Sequence, residues 1–166
     1  MQEVFHRRFS TELGDIELAA TRDALVSLEF AQPGPRAARE QTEPARGASC
    51  AAVLDNAEQE IREYLAGERQ TFTVPLDLGS ATAFQHDVWR GLQAIAYGQT
   101  LSYRQLAQNI GRPRAARAVG NANHHNPISI IVPCHRVIAA DGSLGGYGGG
   151  LWRKRFLLDL ELRYCR

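Results

Sequence analysis

Hydrophobic and polar residues alternate along three short segments near the start of the chain, residues 4–9, 16–20 and 24–30. Alternation with a period of two is typical of strands that bury one face. Gly14-Asp15 and Arg22-Asp23 separate the segments, and short polar turns of this kind join neighbouring antiparallel strands. The pattern therefore predicts a three-stranded antiparallel sheet.

Helical spacing replaces alternation further along the chain. Residues 31–50 are rich in Pro, Gly, Arg, Gln and Ala and predict a loop or linker. An apolar stripe with helical spacing follows, and Gly67 is placed to end that helix. Residues 72–76 are expected to be extended, and Gly79-Ser80 marks the expected boundary between domains of residues 1–80 and 81–166. The stripe consists of Leu54, Ala57, Ile61, Tyr64 and Leu65.

A capping box opens the second half of the chain. Thr82 and Gln85 have the spacing at which two side chains satisfy the first free backbone N–H groups of a helix. The helix that follows is expected to end at Gly98. Its buried stripe is expected to be Phe84, Val88, Leu92 and Ile95.

A second capping box follows directly, with Ser102 as the first residue and Gln105 three positions on. It predicts a helix over residues 103–110 that ends before a glycine. Pro113 then suits the first turn of another helix over residues 114–121. Two short helices around a glycine turn predict a helix-turn-helix, although a plain helical hairpin with solvated arginines fits the same pattern.

A β-branched apolar run at residues 128–132 stops at Pro133 and is followed at once by Cys134, His135 and Arg136. Ile and Val pack well on a pleated surface, so the run predicts a buried strand. Neighbouring strand side chains point to opposite faces, so Cys134 and His135 can serve one site only if the backbone bends. Pro133 favours such a bend because it fixes φ and cannot donate to a ladder.

Glycine dominates the next segment, with six glycines among residues 142–150. The segment lacks the Lys-Ser/Thr ending of a nucleotide-binding loop, so it is either a flexible loop or a place where bare backbone approaches a flat ligand. A final helix follows. It is expected to bury Trp152, Phe156, Leu157 and Leu160 and to expose Arg153, Lys154 and Arg155.

The composition of the chain limits the cellular compartments in which the protein is expected. No apolar run approaches the roughly 20 residues that span a bilayer, and the start of the chain lacks the pattern of a signal peptide. Three widely separated cysteines among 166 residues argue for a reducing compartment and against a disulfide framework, and their separation is far larger than zinc-ligand spacing. We therefore expect a cytoplasmic protein with no membrane contact, no metal and no cofactor.

Charge is distributed unevenly along the chain. Residues 1–87 carry 15 acidic residues and 8 arginines, and residues 88–166 carry 3 acidic and 11 basic ones. The net charge of +1 therefore hides −7 in one half and +8 in the other. From Val88 to Ala140 there are six arginines and no acidic residue. This block predicts a polyanion-binding surface, although a solvated face with acidic partners from the first half fits the same charges.

Cys134 and His135 are the strongest candidates for chemistry. A lone cysteine is more often a small buried residue, but this one precedes a histidine and lies in the acid-free segment, where positive potential favours the thiolate. A Cys-His pair suits acyl transfer, which also needs an oxyanion hole, and equally suits transfer of an alkyl group from a saturated carbon. The spacing alone leaves both classes open. The predicted helix-turn-helix favours a substrate held in nucleic acid.

Pro133-Cys134-His135-Arg136-Val137, preceded by Ala115-Ala116-Arg117-Ala118-Val119-Gly120 and Asn126-Pro127, resembles the O6-alkylguanine-DNA alkyltransferases. The match runs without gaps from about Phe84 to Glu161. It implies an α/β (α+β) fold with two parts. A small N-terminal three-stranded antiparallel sheet with a helix, ribonuclease H-like, precedes a mostly helical C-terminal domain whose helix-turn-helix is of winged-helix type.

The resemblance also implies the activity and the partner. Such proteins repair O6-alkylguanine, and less readily O4-alkylthymine, by irreversible transfer of the alkyl group to one cysteine, here Cys134. The partner is double-stranded DNA that contains an alkylated guanine. The protein is expected to be a monomer, with cooperative binding along DNA left open.

Individual roles follow from the same resemblance. His135, through a water, would deprotonate Cys134, and Glu161 would orient His135. Tyr103 would help to rotate the nucleotide and protonate guanine at N3, and Asn126 would be a hinge beside Cys134.

The resemblance further implies how DNA is held. The helix of residues 113–121 would enter the minor groove, with Arg117 inserted where the base had been. The residues expected to contact DNA are Tyr103, Arg114, Ala116, Arg117, Gly120, Asn121 and Arg136. Those expected to line the base pocket are Val137, Tyr147, Gly148 and Gly149.

Two rival functions stand beside this one. A non-enzymatic protein of the same fold would bind alkylated DNA without an acceptor cysteine, and the presence of Cys134 argues against it. A Cys-His hydrolase or acyltransferase would instead turn over a thioester substrate repeatedly.

Overall fold

The computed structural model describes residues 2–33 and 43–165, so part of the predicted loop at residues 31–50 lies outside the described residues. The chain divides after Gly79 into two compact units, Met1–Gly79 and Ser80–Arg166. Each unit has its own buried apolar residues.

The N-terminal unit is built on a three-stranded sheet of β1 (Phe5–Thr11), β2 (Gly14–Ala20) and β3 (Leu25–Phe30). The strands are antiparallel in the order β1-β2-β3, with Phe9 opposite Ile16 and Leu18 opposite Leu28, so the predicted meander is confirmed. Burial alternates along β1 and through the first part of β2, as period-two patterning requires, whereas β3 buries Leu25 and Leu28.

Helix α1 (Ala52–Leu65) packs on this sheet through the predicted stripe, of which Leu54, Ala57 and Ile61 are fully buried. The segment predicted to be extended runs beside β3: the Leu25 N–H donates to the Pro75 carbonyl at 2.8 Å, and the Asp77 N–H donates to the Leu25 carbonyl at 2.9 Å. The segment thereby forms a short parallel bridge at the edge of the sheet.

The C-terminal unit is mostly helical. It contains α2 (Ala83–Gln93), α3 (Tyr103–Asn109), α4 (Ala116–His124) and α5 (Leu151–Tyr164), with a short parallel pair of β4 (Leu101–Ser102) and β5 (Val137–Ile138). Both predicted capping boxes are present at the starts of α2 and α3. They fix where each helix begins and therefore which face of each is buried.

Helix α2 positions the helix-turn-helix formed by α3 and α4. The Trp89 indole N–H donates to the Ala122 carbonyl at 2.9 Å, which ties α2 to α4. At Gly91, a β-carbon would lie 2.8 Å from Leu106, so the missing side chain lets α3 approach closely. Tyr103 of α3 packs against α4 in the same way, because a β-carbon at Gly120 would lie 3.7 Å from its ring.

Three predicted helix boundaries are wrong. Helix α2 ends at Gln93, and Gly98 closes a separate turn with φ of +77°. Helix α4 begins at Ala116, because Pro113 belongs to a preceding turn in which the Ala115 N–H donates to the Arg112 carbonyl. The same helix continues to His124, since no helix-breaking residue occurs before Pro127.

The predicted strand at residues 128–132 is also wrong. Residues 129–131 form a turn in which Ile130 has φ of +71°, a left-handed conformation that β-branched residues avoid. The segment is apolar because it is buried, with Ile128, Ile130 and Val132 fully enclosed. Burial therefore explains the strand-like composition of a segment whose backbone forms a turn.

The buried face of α5 includes Leu157 and Leu160, as predicted, but otherwise differs from the predicted one. Lys154, Leu157, Leu158 and Glu161 recur at helical spacing and are all buried, whereas Trp152 is 55% exposed. The sequence pattern missed this face because charged residues occupy both of its ends.

Candidate active site

The acceptor candidate Cys134 lies at the end of a side-chain-stabilised turn. The Asn126 amide donates to the Val132 carbonyl at 2.7 Å, while its oxygen accepts from the Ile128 N–H at 3.0 Å. The polar Asn126 side chain also acts on the thiol, because it lowers the pKa of Cys134. Cys134 then starts a 3-10 turn, Cys134–Arg136, which provides the predicted bend.

The Cys134 thiol is only 5% exposed. Burial raises the pKa of the Cys134 thiol, and the hydrogen bond from Asn126 and the positive charge of Lys154 offset only part of this rise. The expectation that positive potential would favour the thiolate is therefore corrected: the resting group is the thiol. A base must remove its proton before it can act as a nucleophile.

His135 has the environment of such a base. Its Nε2 lies 2.8 Å from Oε1 of Glu161, and both side chains are buried. Burial lowers the pKa of His135, although the hydrogen bond and charge of Glu161 raise it, so the imidazole is neutral. A carboxylate accepts from Nε2–H, which leaves Nδ1 as the nitrogen able to take a proton.

Glu161 is held from three further directions. Arg136 donates from Nη2 to Oε1 at 2.8 Å and from Nε to Oε2 at 3.0 Å, and the Gly98 N–H donates at 3.1 Å. Burial raises the pKa of Glu161, but the bonds and charges of His135 and Arg136 outweigh it and hold this pKa at about 2. The carboxylate is therefore ionised at every physiological pH.

The same contacts correct the expected role of Arg136 in DNA binding. Arg136 is 6% exposed as a residue, and its Nη1 donates to the Ile95 carbonyl at 2.7 Å. A group bonded in this way faces the protein interior and has little surface with which to reach a phosphate.

Lys154 is part of the site although the sequence pattern placed it on the surface. Its buried ammonium donates to the Val137 carbonyl at 2.6 Å and to the Gly146 carbonyl at 3.1 Å. Burial lowers the pKa of Lys154 to about 8, against the opposing effect of Cys134. The sequence feature that could have identified Lys154 is its spacing of seven residues from Glu161, which places both side chains on one face of the helix.

The glycine-rich segment is docked onto this group. Gly145 has φ of +69°, and a β-carbon there would lie 2.9 Å from the Tyr103 hydroxyl, so only glycine fits. The Tyr103 hydroxyl hydrogen-bonds to the Gly146 backbone. Burial raises the pKa of Tyr147 well above its ordinary value, so its phenol is neutral beside Cys134. The Gly149 carbonyl accepts from Arg153 at 2.7 Å.

The structure distributes the other predicted residues over two regions. Arg114, Arg117 and Asn121 are exposed on and just before α4, whereas Ala116 and Gly120 are half-buried. Val137 and Tyr147 lie with Cys134, and Gly148 is at the surface of the glycine-rich segment. The exposed arginines of the acid-free stretch are Arg90, Arg104, Arg112, Arg114 and Arg117.

Neither a metal centre nor a membrane span is found in the described part of the chain. Within residues 2–33 and 43–165 no three His, Cys, Asp or Glu side chains converge as metal ligands would. No helix in these ranges has the length and apolar character needed to cross a bilayer.

Fold and site together define a class: a protein whose helical unit joins a helix-turn-helix to a buried cysteine with a His-Glu base. Residues 4–78 match the family described as 6-O-methylguanine DNA methyltransferase, ribonuclease-like domain, and residues 83–163 match its DNA binding domain. The chain belongs to the 6-O-methylguanine DNA methyltransferase family, and the predicted order of a sheet-plus-helix domain and a mostly helical domain is confirmed.

Similar proteins span nearly the whole chain. The methylated-DNA–protein-cysteine methyltransferase of Mycobacterium tuberculosis H37Rv is 46% identical over 158 residues, 95% of this chain and 92% of that protein. The enzyme of that name from Methanosarcina acetivorans is 40% identical over 95% of this chain and 98% of its own length.

Solved structures of relatives superpose over the same extent. The crystal structure of the M. tuberculosis O6-methylguanine methyltransferase has a TM-score of 0.85 at 44% identity, covering 99% of this chain and 96% of that one. A crystal structure of the M. tuberculosis protein in complex with DNA has a TM-score of 0.84 at 45% identity, covering 96% and 94%.

Proposed function

We propose that this protein repairs alkylated DNA by moving the alkyl group from O6 of guanine to its own Cys134. The observation that carries the proposal is a buried thiol, followed by a neutral imidazole whose Nε2 lies 2.8 Å from the Glu161 carboxylate. The names of the mycobacterial and archaeal relatives state this chemistry for those proteins. Family membership supports the same chemistry here.

In the proposed reaction the Cys134 proton passes to Nδ1 of His135 by way of a water, since Nε2 carries the hydrogen donated to Glu161. The thiolate attacks the alkyl carbon, so a carbon–sulfur bond forms as the bond to O6 breaks. Guanine leaves with that electron pair, and the Tyr103 hydroxyl supplies a proton at N3. The product is a thioether that cannot return to the thiol, so each molecule acts once.

The proposal assigns DNA binding to the exposed face of the helix-turn-helix. Helix α4 enters the minor groove, and Arg117 fills the space of the everted base. Arg114 and Asn121 contact the DNA backbone, and the small residues Ala116 and Gly120 let the helix approach. The partner is duplex DNA with O6-alkylguanine, and with O4-alkylthymine as a poorer substrate.

The base pocket is assigned to the region between β5 and the glycine-rich segment. Val137, Gly148 and Gly149 would present backbone to the base, and Tyr147 a ring. Asn126 would position Cys134 for transfer, since its side chain closes the turn before Cys134 and lowers the pKa of the thiol.

Mass analysis after exposure to duplex DNA with O6-methylguanine tests the proposal. One methyl group should appear on the peptide that contains Cys134, in stoichiometric amount. Cys134→Ser should still bind DNA but remove no methyl group. Removal of many methyl groups per molecule, or loss of the lesion with Cys134 unmodified, would contradict the proposal. Repeated turnover of a thioester would instead favour the hydrolase.

A further inference from the structure

The last turn of α4 reaches both the thiol and the glycine-rich segment. Asn123 points inward, where its amide donates to the Cys134 carbonyl at 3.3 Å. The next residue, His124, is exposed. A β-carbon at Gly148 would lie 3.7 Å from Cε1 of the His124 ring and 3.9 Å from Nδ1, so the imidazole stands against the backbone of the glycine-rich segment.

His124 also continues the exposed face of α4. Arg117, Asn121 and His124 are all exposed and are separated by four and three positions, which places them in one row along the helix. The row runs from the helix start towards the residues around Cys134. The proposed DNA-binding face therefore ends at His124.

The geometry of base flipping determines which part of the DNA can reach His124. A nucleotide rotated out of a duplex stays bonded to a phosphate on each side, so its base can enter the protein while its phosphates remain outside. The backbone of the strand must cross the rim of the base pocket, and one part of that rim is the contact between α4 and Gly148. Glycine leaves room there, and an imidazole N–H can donate to a phosphate oxygen.

We propose that His124 is a further DNA-binding residue, whose imidazole hydrogen-bonds to a phosphate next to the everted nucleotide. This inference rests on the proposed function. Its neighbour His125 is engaged differently, because its Nδ1 lies 2.7 Å from the Asn121 carbonyl of its own helix. His125 therefore serves as a control at the same helix end: its ring lies edge-on to that of His124 at 5.6 Å, so His125→Ala removes this ring contact and leaves the His124 donor in place.

The test compares two substrates of the same thiol. His124→Ala should slow methyl transfer from O6-methylguanine in duplex DNA about tenfold, the effect expected for loss of one charge-assisted hydrogen bond. It should leave the reaction with free O6-benzylguanine within about twofold, since that substrate has no phosphate. His125→Ala should leave both reactions within about twofold of the wild type. His124→Arg should restore the duplex rate, because it returns a donor, whereas His124→Phe should not.

Other results overturn the inference. Equal slowing with both substrates would indicate a structural role, and rescue by His124→Phe would indicate a packing role. An unchanged duplex rate in His124→Ala, with the wild type methylated normally at Cys134, would refute the role of His124 alone. A wild type that gains no methyl group would refute the proposed function itself.

Discussion

Arg136 allows a direct test of whether a basic residue beside the acceptor holds the fold or contacts DNA. Its guanidinium makes three bonds of 2.8–3.1 Å to Glu161 and one of 2.7 Å to the Ile95 carbonyl, and the residue is buried. Arg136→Met leaves the Glu161 carboxylate buried without its main counter-charge. Removal of one partner from a buried ion pair typically costs about 3–5 kcal/mol of unfolding free energy. For a chain of this size, that corresponds to a fall in melting temperature of about 6–20 °C.

Two measurements separate the roles of Arg136. Thermal unfolding should give the fall in melting temperature, and DNA affinity measured across salt concentrations on the folded protein should keep the wild-type salt slope. The exposed Arg114, proposed to contact the DNA backbone, is the matched control: Arg114→Ala should leave the unfolding free energy within about 0.5 kcal/mol and reduce the salt slope by about 1. A stable Arg136→Met protein with a reduced salt slope would refute the assignment and restore a phosphate contact.

Two further changes test the groups around the thiol. Lys154→Met removes a buried positive charge that lowers the pKa of Cys134, so the pKa of Cys134 should rise. The rate of labelling by free O6-benzylguanine, measured against pH, should then follow a profile shifted to higher pH. An unshifted profile would show that Lys154 does not act on the thiol. Gly145→Ala should slow transfer far more than Gly142→Ala, because both glycines have positive φ but only at Gly145 would the new β-carbon meet Tyr103, 2.9 Å from its hydroxyl. Equal effects would mean that the backbone conformation alone matters.

Local chemistry made much of the fold predictable. The alternating pattern predicted the three strands, and the Thr82 and Ser102 capping boxes predicted where two helices begin. Both signals could be recognised because each resides in a few adjacent residues. The turn before Cys134 was not predictable in this way. Its left-handed Ile130 is tolerated because Asn126 closes the turn from outside the run, and apolar composition reports burial rather than backbone conformation.

From residue patterns alone, the site was predictable only where it is compact in sequence, whereas the pairing of Glu161 with His135 was implied by the family resemblance. Cys134 and His135 are adjacent, so their chemistry could be inferred together. Lys154 and Arg136 were misassigned because a charged side chain ordinarily indicates solvent, and their partners are backbone carbonyls and Glu161, which no local pattern reveals. Tertiary contacts, and not local sequence propensity, determine where the side chains of Lys154 and Arg136 lie.

The dependence of Cys134 on α5 has a consequence for synthesis of the chain. Asn126 and Val132 can close the turn soon after they leave the ribosome, but Glu161 comes 26 residues after His135. Domains fold as units while translation continues, at about 5–20 residues per second. For a second or more, the nascent chain therefore contains Cys134 and His135 but not yet the Glu161 carboxylate that hydrogen-bonds to His135. In the proposed mechanism, alkyl transfer would therefore depend on completion of α5, and a chain that terminates before α5 would lack the carboxylate that orients His135.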